Sequence, residues 1–141
     1  KLKPSNKTKV ICAQVRMGDP GHVGQAEQNA SMNFWYFINN TFLNSSENYS
    51  IFVTADREEV KLEARNFFRL HNVVYNERSS FHVEKKTEKD GCNSLENVIF
   101  DFHLMQHCDI GVVSHSGFGI MSMWNRPDPF KDLYVYTKEN Q

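Results

Sequence analysis

The stretch from residue 93 to residue 126 decides the fold: NSLENVIFDFHLMQHCDIGVVSHSGFGIMSMWNR. In its first half, apolar residues recur at helical spacing, which predicts an amphipathic helix over 94–107. Asn93 is the expected N-cap, with Glu96 as its capping-box partner. Residues 110–113 are apolar and mostly β-branched, as a parallel strand covered on both faces should be. The stretch therefore indicates a helix, a buried strand, a turn and a second helix.

The turn that joins this strand to the second helix is made of small residues. It lies at the carboxyl end of a strand and the amino end of a helix, where two glycines, one serine and a further serine just before the turn leave backbone N–H groups accessible. Such N–H groups and the positive helix end favour a phosphate or another anion. The alternative is an ordinary tight turn without a ligand. The residues of the turn are His115, Ser116, Gly117, Phe118 and Gly119.

The rest of the chain continues the alternation of strands and helices. We predict a helix over 26–43 and a second one that Asp56 caps, with Glu59 in its capping box. A long polar loop is expected over 76–91. This order predicts an α/β protein, a Rossmann-like parallel sheet with helices on both faces. The further strands are expected at 10–15, 50–55, 72–75 and 133–137.

Length and charge limit the possible functions. A chain of 141 residues suits a single domain with its own core, and a net charge of -1 argues against broad binding of nucleic acid. No apolar run reaches transmembrane length, and no signal peptide is visible. The polar and basic residues that precede the first strand indicate a domain from a longer protein. Any membrane attachment is therefore expected through an anchor outside these residues.

Glycosylation sequons are dense in one part of the chain. Five N-x-S/T sequons occur, and four of them lie within twenty residues. This density favours a protein of the secretory pathway. We expect glycans on the cluster formed by Asn39, Asn44 and Asn48.

The cysteines and tryptophans are assigned to buried positions. Three cysteines leave at least one unpaired, and no spacing among them resembles a zinc site. Cys12 and Cys108 lie on or beside predicted buried elements, where a free cysteine commonly acts as a small hydrophobic residue. Trp35 and Trp124 are predicted to lie in the core.

Polar residues follow the predicted strands, at the edge where a doubly wound sheet binds ligands. Neither GxGxxG nor GxxxxGK[ST] is present, so dinucleotide and P-loop nucleotide sites lack their fingerprints. Besides the turn at 115–119, the candidates at strand ends are Arg16, Asp19, Thr54 and Asp56.

Three charged residues carry the functional hypothesis, and each has a structural alternative. The guanidinium of Arg16 suits bidentate binding of a diphosphate; the alternative is a structural ion pair with Asp19 or Asp101. Asp19 is a candidate base or orients Arg16, and the alternative is loop capping. Asp101 interrupts an apolar helix face, and the alternative is a solvated helix position.

Taken together, these motifs resemble those of the GDP-fucose-dependent fucosyltransferases of the α1,2, α1,6 and protein O-linked types. The sequence QVRMGD at 14–19 is similar to their H-x-R-R-x-D motif, and DFHLMQHCDIGVVSHSGFG at 101–119 is similar to their second nucleotide-binding segment. The form S-H-S-G-F-G is nearest the T-x-G-T-F-G of the α1,2 type. FVTAD at 52–56 is similar to a strand that ends in T-x-D between the two motifs.

The resemblance implies the carboxy-terminal, donor-binding half of a GT-B enzyme that inverts the sugar and needs no metal or other cofactor. Arg16 would then hold the β-phosphate, and Asp101 would accept hydrogen bonds from guanine. The turn at 115–119 would cradle the phosphates, and Thr54 and Asp56 would line the base or ribose. The implied partners are GDP-fucose and a glycan or glycoprotein acceptor, and the implied location is the Golgi or endoplasmic reticulum lumen, as part of a type II membrane protein.

Two residues depart from the family pattern. Gln14 replaces the motif's histidine and Met17 its second arginine, and loss of a cation should weaken stabilisation of the leaving diphosphate. The general base is open, with Asp19 the nearest candidate and Glu27 a weaker one. The leading hypothesis is transfer of fucose with inversion. The alternatives are a catalytically impaired nucleotide-sugar-binding or interaction domain, and a GT-B relative that uses another nucleotide sugar.

Overall fold

Five parallel strands form one sheet in the computed structural model, which describes residues 2–5, 7–18, 30–77 and 91–136, with the backbone alone at 30 and 91–94. Their order across the sheet is β3-β2-β1-β4-β5, so the first strand is central. All four neighbouring pairs are parallel. The predicted parallel α/β sheet is therefore confirmed. The strands are β1 (Thr8–Val15), β2 (Asn48–Ala55), β3 (Asn72–Tyr75), β4 (Ile110–Ser114) and β5 (Leu133–Tyr136).

Four α-helices lie between the strands in the part of the chain that the structure describes. The first helix continues into one π-helical turn, Asn39–Leu43. The predicted start of this helix at residue 26 lies outside the described residues, as does most of the predicted loop over 76–91. The helices are α1 (Ala30–Ile38), α2 (Glu58–Phe67), α3 (Gly91–Met105) and α4 (Gly117–Trp124). None of the described helices is long and apolar enough to cross a membrane.

Successive side chains of the central strand pack on opposite faces of the sheet, as strand geometry requires. On one face, Ile11 and Ala13 pack with residues of α1 and α2, among them Trp35. On the other face, Val10 and Cys12 pack in a second cluster with residues of α3 and α4. Helices therefore cover both faces in the described part of the chain, as the sequence pattern predicts.

Both predicted helix caps are wrong. The second helix begins at Glu58 with Arg57 at its N-cap, and no side chain caps it. Asp56 cannot act as the cap because its carboxylate binds the loop that follows β1. The third helix begins at Gly91, so Asn93 lies inside its first turn instead of before it. In both cases the local cap signal is overridden by contacts or by helix extension that the sequence pattern does not reveal.

Two predictions about buried side chains are also corrected. Cys12 and Cys108 form a disulfide, with their Cα atoms 5.8 Å apart, so they are not free thiols. The bond joins the central strand to the segment that precedes β4. Trp35 lies in the core, as predicted, but Trp124 is 52% exposed and its ring contacts Phe130, which is also exposed.

Candidate functional site

Strand register brings the predicted site residues to one edge of the sheet. Val15 pairs with Ala55 on β2, and Gln14 pairs with Val113 on β4. The residues that follow each strand therefore emerge side by side at the carboxyl edge. The central strand has neighbours on both sides, so the loop after β1 lies between the end of β2 and the turn that follows β4.

Arg16 is the first residue after β1, and its backbone is held while its side chain is exposed. Its N–H donates to the hydroxyl of Ser114 at 2.9 Å. Its guanidinium has no hydrogen-bond or ion-pair partner among the described residues, and Asp101 does not pair with it. Asp19, the other proposed partner, lies outside the described residues, as does Glu27. A cation is thus fixed at the sheet edge with its donors available.

Asp56 fixes the loop that carries Arg16. Its two carboxylate oxygens accept from the N–H groups of Met17 and Gly18, each at 2.9 Å. Gly18 has φ +82°, a left-handed conformation that glycine adopts without steric cost. The carboxylate is therefore engaged with backbone N–H groups, and its predicted contact with a base or ribose stays a prediction.

Arg57 approaches the same loop from β2. Its Nη2 donates to the carbonyl oxygen of Gly18 at 2.9 Å. Its Nε is buried and has no hydrogen-bond partner within the described ranges. The neighbouring side chain of Met17 packs against the core on the α1/α2 face, away from the loop's polar surroundings.

Asp101 and Thr54 form a buried polar pair beside this loop. Thr54 is the last residue but one of β2, and its hydroxyl donates to Asp101 Oδ2 at 2.9 Å. Asp101 is only 7% exposed, and its Oδ1 is buried without a hydrogen bond that meets ordinary geometry. Burial raises the pKa of Asp101, although the Thr54 hydroxyl, the Lys61 charge and the Asn76 side chain all act to lower it. A solvated helix position, the alternative for Asp101, is excluded.

Lys61 is a buried cation that sequence reasoning missed. Its side chain is almost wholly buried, and its Nζ donates to Glu58 at 2.9 Å and to the carbonyl of Asn76 at 3.1 Å. The bond to Asn76 attaches the chain after β3 to α2. The sequence does not reveal this burial, because Lys61 is followed by the apolar Leu62. In the structure, the lysine is buried and the leucine is exposed.

The turn after β4 joins this strand directly to the start of α4. Ser116 is the N-cap of α4, and its hydroxyl accepts from the N–H of Gly119 at 3.2 Å. The same hydroxyl donates to Gln14 Oε1 at 3.0 Å, which links the turn to the central strand. Phe118 packs into the core on the α3/α4 face. The N–H groups of Gly117 and Phe118 have no acceptor within the described part of the chain, as expected for the first turn of a helix.

The site thus combines an exposed arginine, free N–H groups at a helix start and a buried carboxylate. Of the predicted residues, Arg16, Thr54, Asp56, Asp101 and the turn at 115–119 meet at one edge. His115 is exposed there, and its backbone N–H donates to the backbone carbonyl oxygen of Tyr136 at 2.9 Å. The described residues contain no group of three or more His, Cys, Asp or Glu arranged for a metal ion.

Solved structures with a similar fold are fucosyltransferases. NodZ alpha-1,6-fucosyltransferase co-crystallized with GDP superposes with a TM-score of 0.63 at 14% identity, over 86% of this chain and 37% of that one. Fucosyltransferase NodZ from Bradyrhizobium gives 0.59 at 16% identity, over 86% and 38%. A mutant of Arabidopsis thaliana FUT1 in complex with GDP gives 0.51 at 12% identity, over 85% and 30%.

At identities this low, the likenesses establish the fold and nothing more. The protein has the α/β fold of part of a fucosyltransferase, and it spans less than two fifths of the length of each of these structures. NodZ has also been solved after soaking with GDP-fucose. No protein-family model matches the sequence, and no curated protein matches it either.

We predict that the two glycines of the turn differ sharply in their tolerance of a side chain. In Gly119→Ala, the new methyl group would overlap Gln14 Oε1 and lie 3.1 Å from the Val113 Cβ, so the link between turn and strand must shift. We expect a loss of about 1–3 kcal/mol in the free energy of unfolding. Gly117→Ala is the matched control, since a methyl group there meets nothing within 4 Å.

Urea unfolding of the two variants measures this difference. Gly117→Ala should unfold at the wild-type midpoint or slightly above it, because alanine favours the helix. Equal stability of the two variants would contradict the packing of Gly119 against Gln14.

Proposed function

We propose that this site binds the diphosphate of a guanosine diphosphate sugar. We further propose that the chain is part of a GDP-fucose-dependent fucosyltransferase that is nearest the α1,2 type. One observation carries the proposal: the guanidinium of Arg16, just after β1, lies beside the turn that starts α4, and neither it nor the N–H groups of Gly117 and Phe118 have a partner among the described residues. A cation and a helix start at one sheet edge form an anion site. Structural likeness to enzymes solved with GDP supports the same assignment.

Asp101 supplies the base specificity in this proposal. It lies across from the end of β2, one strand away from Arg16, and keeps one carboxylate oxygen without a conventional hydrogen bond. A guanine presents N1–H and a 2-amino group, and an ionised carboxylate accepts both. Uracil and adenine lack that pair of donors. A buried carboxylate whose pKa is raised by burial is costly to the fold, and such groups concentrate at functional sites.

The proposed reaction is transfer of fucose to a glycan hydroxyl. The acceptor oxygen attacks the anomeric carbon, the bond from that carbon to the β-phosphate oxygen breaks, and GDP leaves with both electrons of the bond. Arg16 and the helix start stabilise the charge that grows on the leaving diphosphate. The attacking hydroxyl gives its proton to a general base, for which Asp19 is the candidate. Backside attack gives inversion, and this chain's own cations take the role of a metal.

A non-catalytic nucleotide-sugar-binding domain is the second candidate, and Met17 is the observation that favours it. The motif's second arginine is replaced by a side chain that packs against the core. An arginine at this position would have to leave that contact. Binding could then persist while stabilisation of the leaving group is reduced.

The first prediction of the proposal concerns the nucleotide. GDP should bind at least tenfold more tightly than UDP or ADP, measured by titration calorimetry, because only guanine offers two donors to Asp101. Asp101→Asn should cost GDP about tenfold and leave UDP unchanged. Burial raises the pKa of Asp101, so GDP affinity should fall with decreasing pH before an ordinary aspartate protonates.

Stability provides the control for this variant. The raised pKa means that the folded protein favours the protonated form of Asp101. The stability that Asp101 contributes is therefore fully present below the ordinary pKa of 3.8 and is lost as the pH rises through the pKa that Asp101 has in the folded protein. Asp101→Asn should therefore melt at or above the wild-type temperature at pH 7. Equal affinity of the wild type for GDP, UDP and ADP would refute Asp101 as the reader of the base.

The second prediction separates catalysis from binding. Arg16→Lys keeps the charge but loses the planar fork that holds a diphosphate. In an enzyme, the rate of fucose transfer should fall at least a hundredfold while GDP affinity falls less than tenfold, since the charge on the leaving group grows in the transition state. Robust activity that Arg16→Lys leaves unchanged would remove Arg16 from the mechanism. A pure binder shows no transfer above background.

We further propose that the protein resides in the Golgi or endoplasmic reticulum lumen, held by an anchor outside these residues. Asn44 and Asn48 are exposed, and Asn39 is partly exposed. They lie at the amino edge of the sheet, and β2 separates that edge from the site by about 25 Å. Glycans there would leave the site open. The disulfide between Cys12 and Cys108 also suits an oxidising compartment.

Expression in a eukaryotic secretory host tests this location. We expect glycan at Asn44, whose sequon Ser45 and Ser46 are both exposed. Ser50 of the Asn48 sequon is fully buried and accepts from Asn72 at 2.8 Å, so Asn48 must be modified before β2 forms. Peptide mass spectrometry should therefore show higher occupancy at Asn44 than at Asn48. A protein without glycan at Asn39, Asn44 and Asn48 would count against the lumen.

A further inference from the structure

We propose that Arg57 is a second phosphate-binding cation of this site, reaching it from β2. The inference rests on the proposed function, because it assigns a role within the same anion site. The sequence offers no signal for it, since Arg57 belongs to no motif and stands between two acidic residues, Asp56 and Glu58. Only the pairing of β1 with β2 brings it beside the loop that carries Arg16.

The loop after β1 is held at one residue from two directions. The N–H of Gly18 donates to Asp56, and the carbonyl of Gly18 accepts from Nη2 of Arg57. The guanidinium of Arg57 is therefore in direct contact with a residue only two positions after Arg16. Arg16 in this loop and Arg57 just after the neighbouring strand thus lie close together at the sheet edge.

The donors of Arg57 are only partly used. A guanidinium carries five N–H donors, and the bond to Gly18 takes one of them. The Nε is buried without an acceptor, and no carboxylate forms an ion pair with Arg57 among the residues that the structure describes. Asp56, the adjacent carboxylate, is already bound to two backbone N–H groups. A buried donor without an acceptor is unfavourable, and a bound anion would relieve it.

The charge of the ligand gives the reason for a second cation. A diphosphate carries more than one negative charge, and Arg16 supplies only one positive charge. Met17 lies between Arg16 and Gly18 but offers no donor, because its side chain packs against the core on the α1/α2 face. Lys61 is committed to Glu58 and Asn76. Among the described cations near this loop, Arg16 and Arg57 are the two with N–H donors that remain unbonded.

Titration calorimetry with GDP, GMP and guanosine tests the assignment on the purified protein. In Arg57→Gln, GDP affinity should fall 10- to 100-fold, GMP affinity less, and guanosine affinity less than twofold. Arg65→Gln is the matched control: it removes the same charge from the exposed side of α2, where Arg65 donates to the Tyr75 hydroxyl at 3.3 Å and to no other side chain that the structure describes. All three ligands should bind Arg65→Gln as they bind the wild type.

A double-mutant cycle separates direct contact from support of the loop. If Arg57 binds phosphate itself, Arg57→Gln should weaken GDP binding nearly as much in an Arg16→Gln background as in the wild type. If it acts only by positioning Arg16, the second substitution should add nothing, and the proposal is overturned. An equal loss for guanosine and GDP would overturn it too. Should Arg57→Gln melt below the assay temperature, Arg57→Lys replaces it, with an expected loss of three- to tenfold for GDP only.

The wild-type measurement distinguishes failure of this inference from failure of the proposed function. If the wild type binds neither GDP nor inorganic pyrophosphate, the anion site itself is wrong and both proposals fall. If the wild type binds GDP and Arg57→Gln binds it equally well, the site stands and only the role of Arg57 is overturned.

Discussion

The parallel pairing of β1 with β2 on one side and β4 on the other is the constraint on which the site depends. It places the loop that carries Arg16 between Asp56 and the turn that precedes α4. Each neighbour then holds that loop: Ser114 accepts from the N–H of Arg16, and Asp56 accepts from the two residues that follow. The backbone is fixed by hydrogen bonds from both sides, so the guanidinium is presented without further support.

Burial of charge at this edge costs stability, which argues that the charges serve a purpose. Asp101 is buried with a raised pKa and an acceptor oxygen that lacks a conventional partner, and Lys61 is buried on α2. Apolar residues would stabilise the fold more simply at both positions. The bond from Thr54 to Asp101 joins the end of β2 to α3, and the bond from Lys61 to Asn76 joins α2 to the chain after β3. These bonds hold the residues that are proposed to contact the guanine base.

The sequence predicts the strands, the helices and the edge at which the candidate residues gather, because apolar periodicity and parallel topology determine them. It fails where long-range contacts compete with local signals. Asp56 has the local pattern of a helix cap, yet its carboxylate accepts hydrogen bonds from two N–H groups of the loop after β1 instead. Cys12 and Cys108 are 96 positions apart, so only the fold shows that they meet. Arg57 and Lys61 gain their roles from neighbouring strands, and no spacing along the chain encodes those contacts.

A crystal structure of the protein with bound GDP tests the central claim most directly. We expect the diphosphate to lie between the Arg16 guanidinium and the N–H groups of Gly117 and Phe118, with donor-to-oxygen distances of about 2.7–3.1 Å. Guanine should donate N1–H and its 2-amino group to Asp101. GDP bound elsewhere on the sheet, or bound at this edge with its phosphates away from Arg16, would contradict the assignment of this edge as a nucleotide diphosphate site.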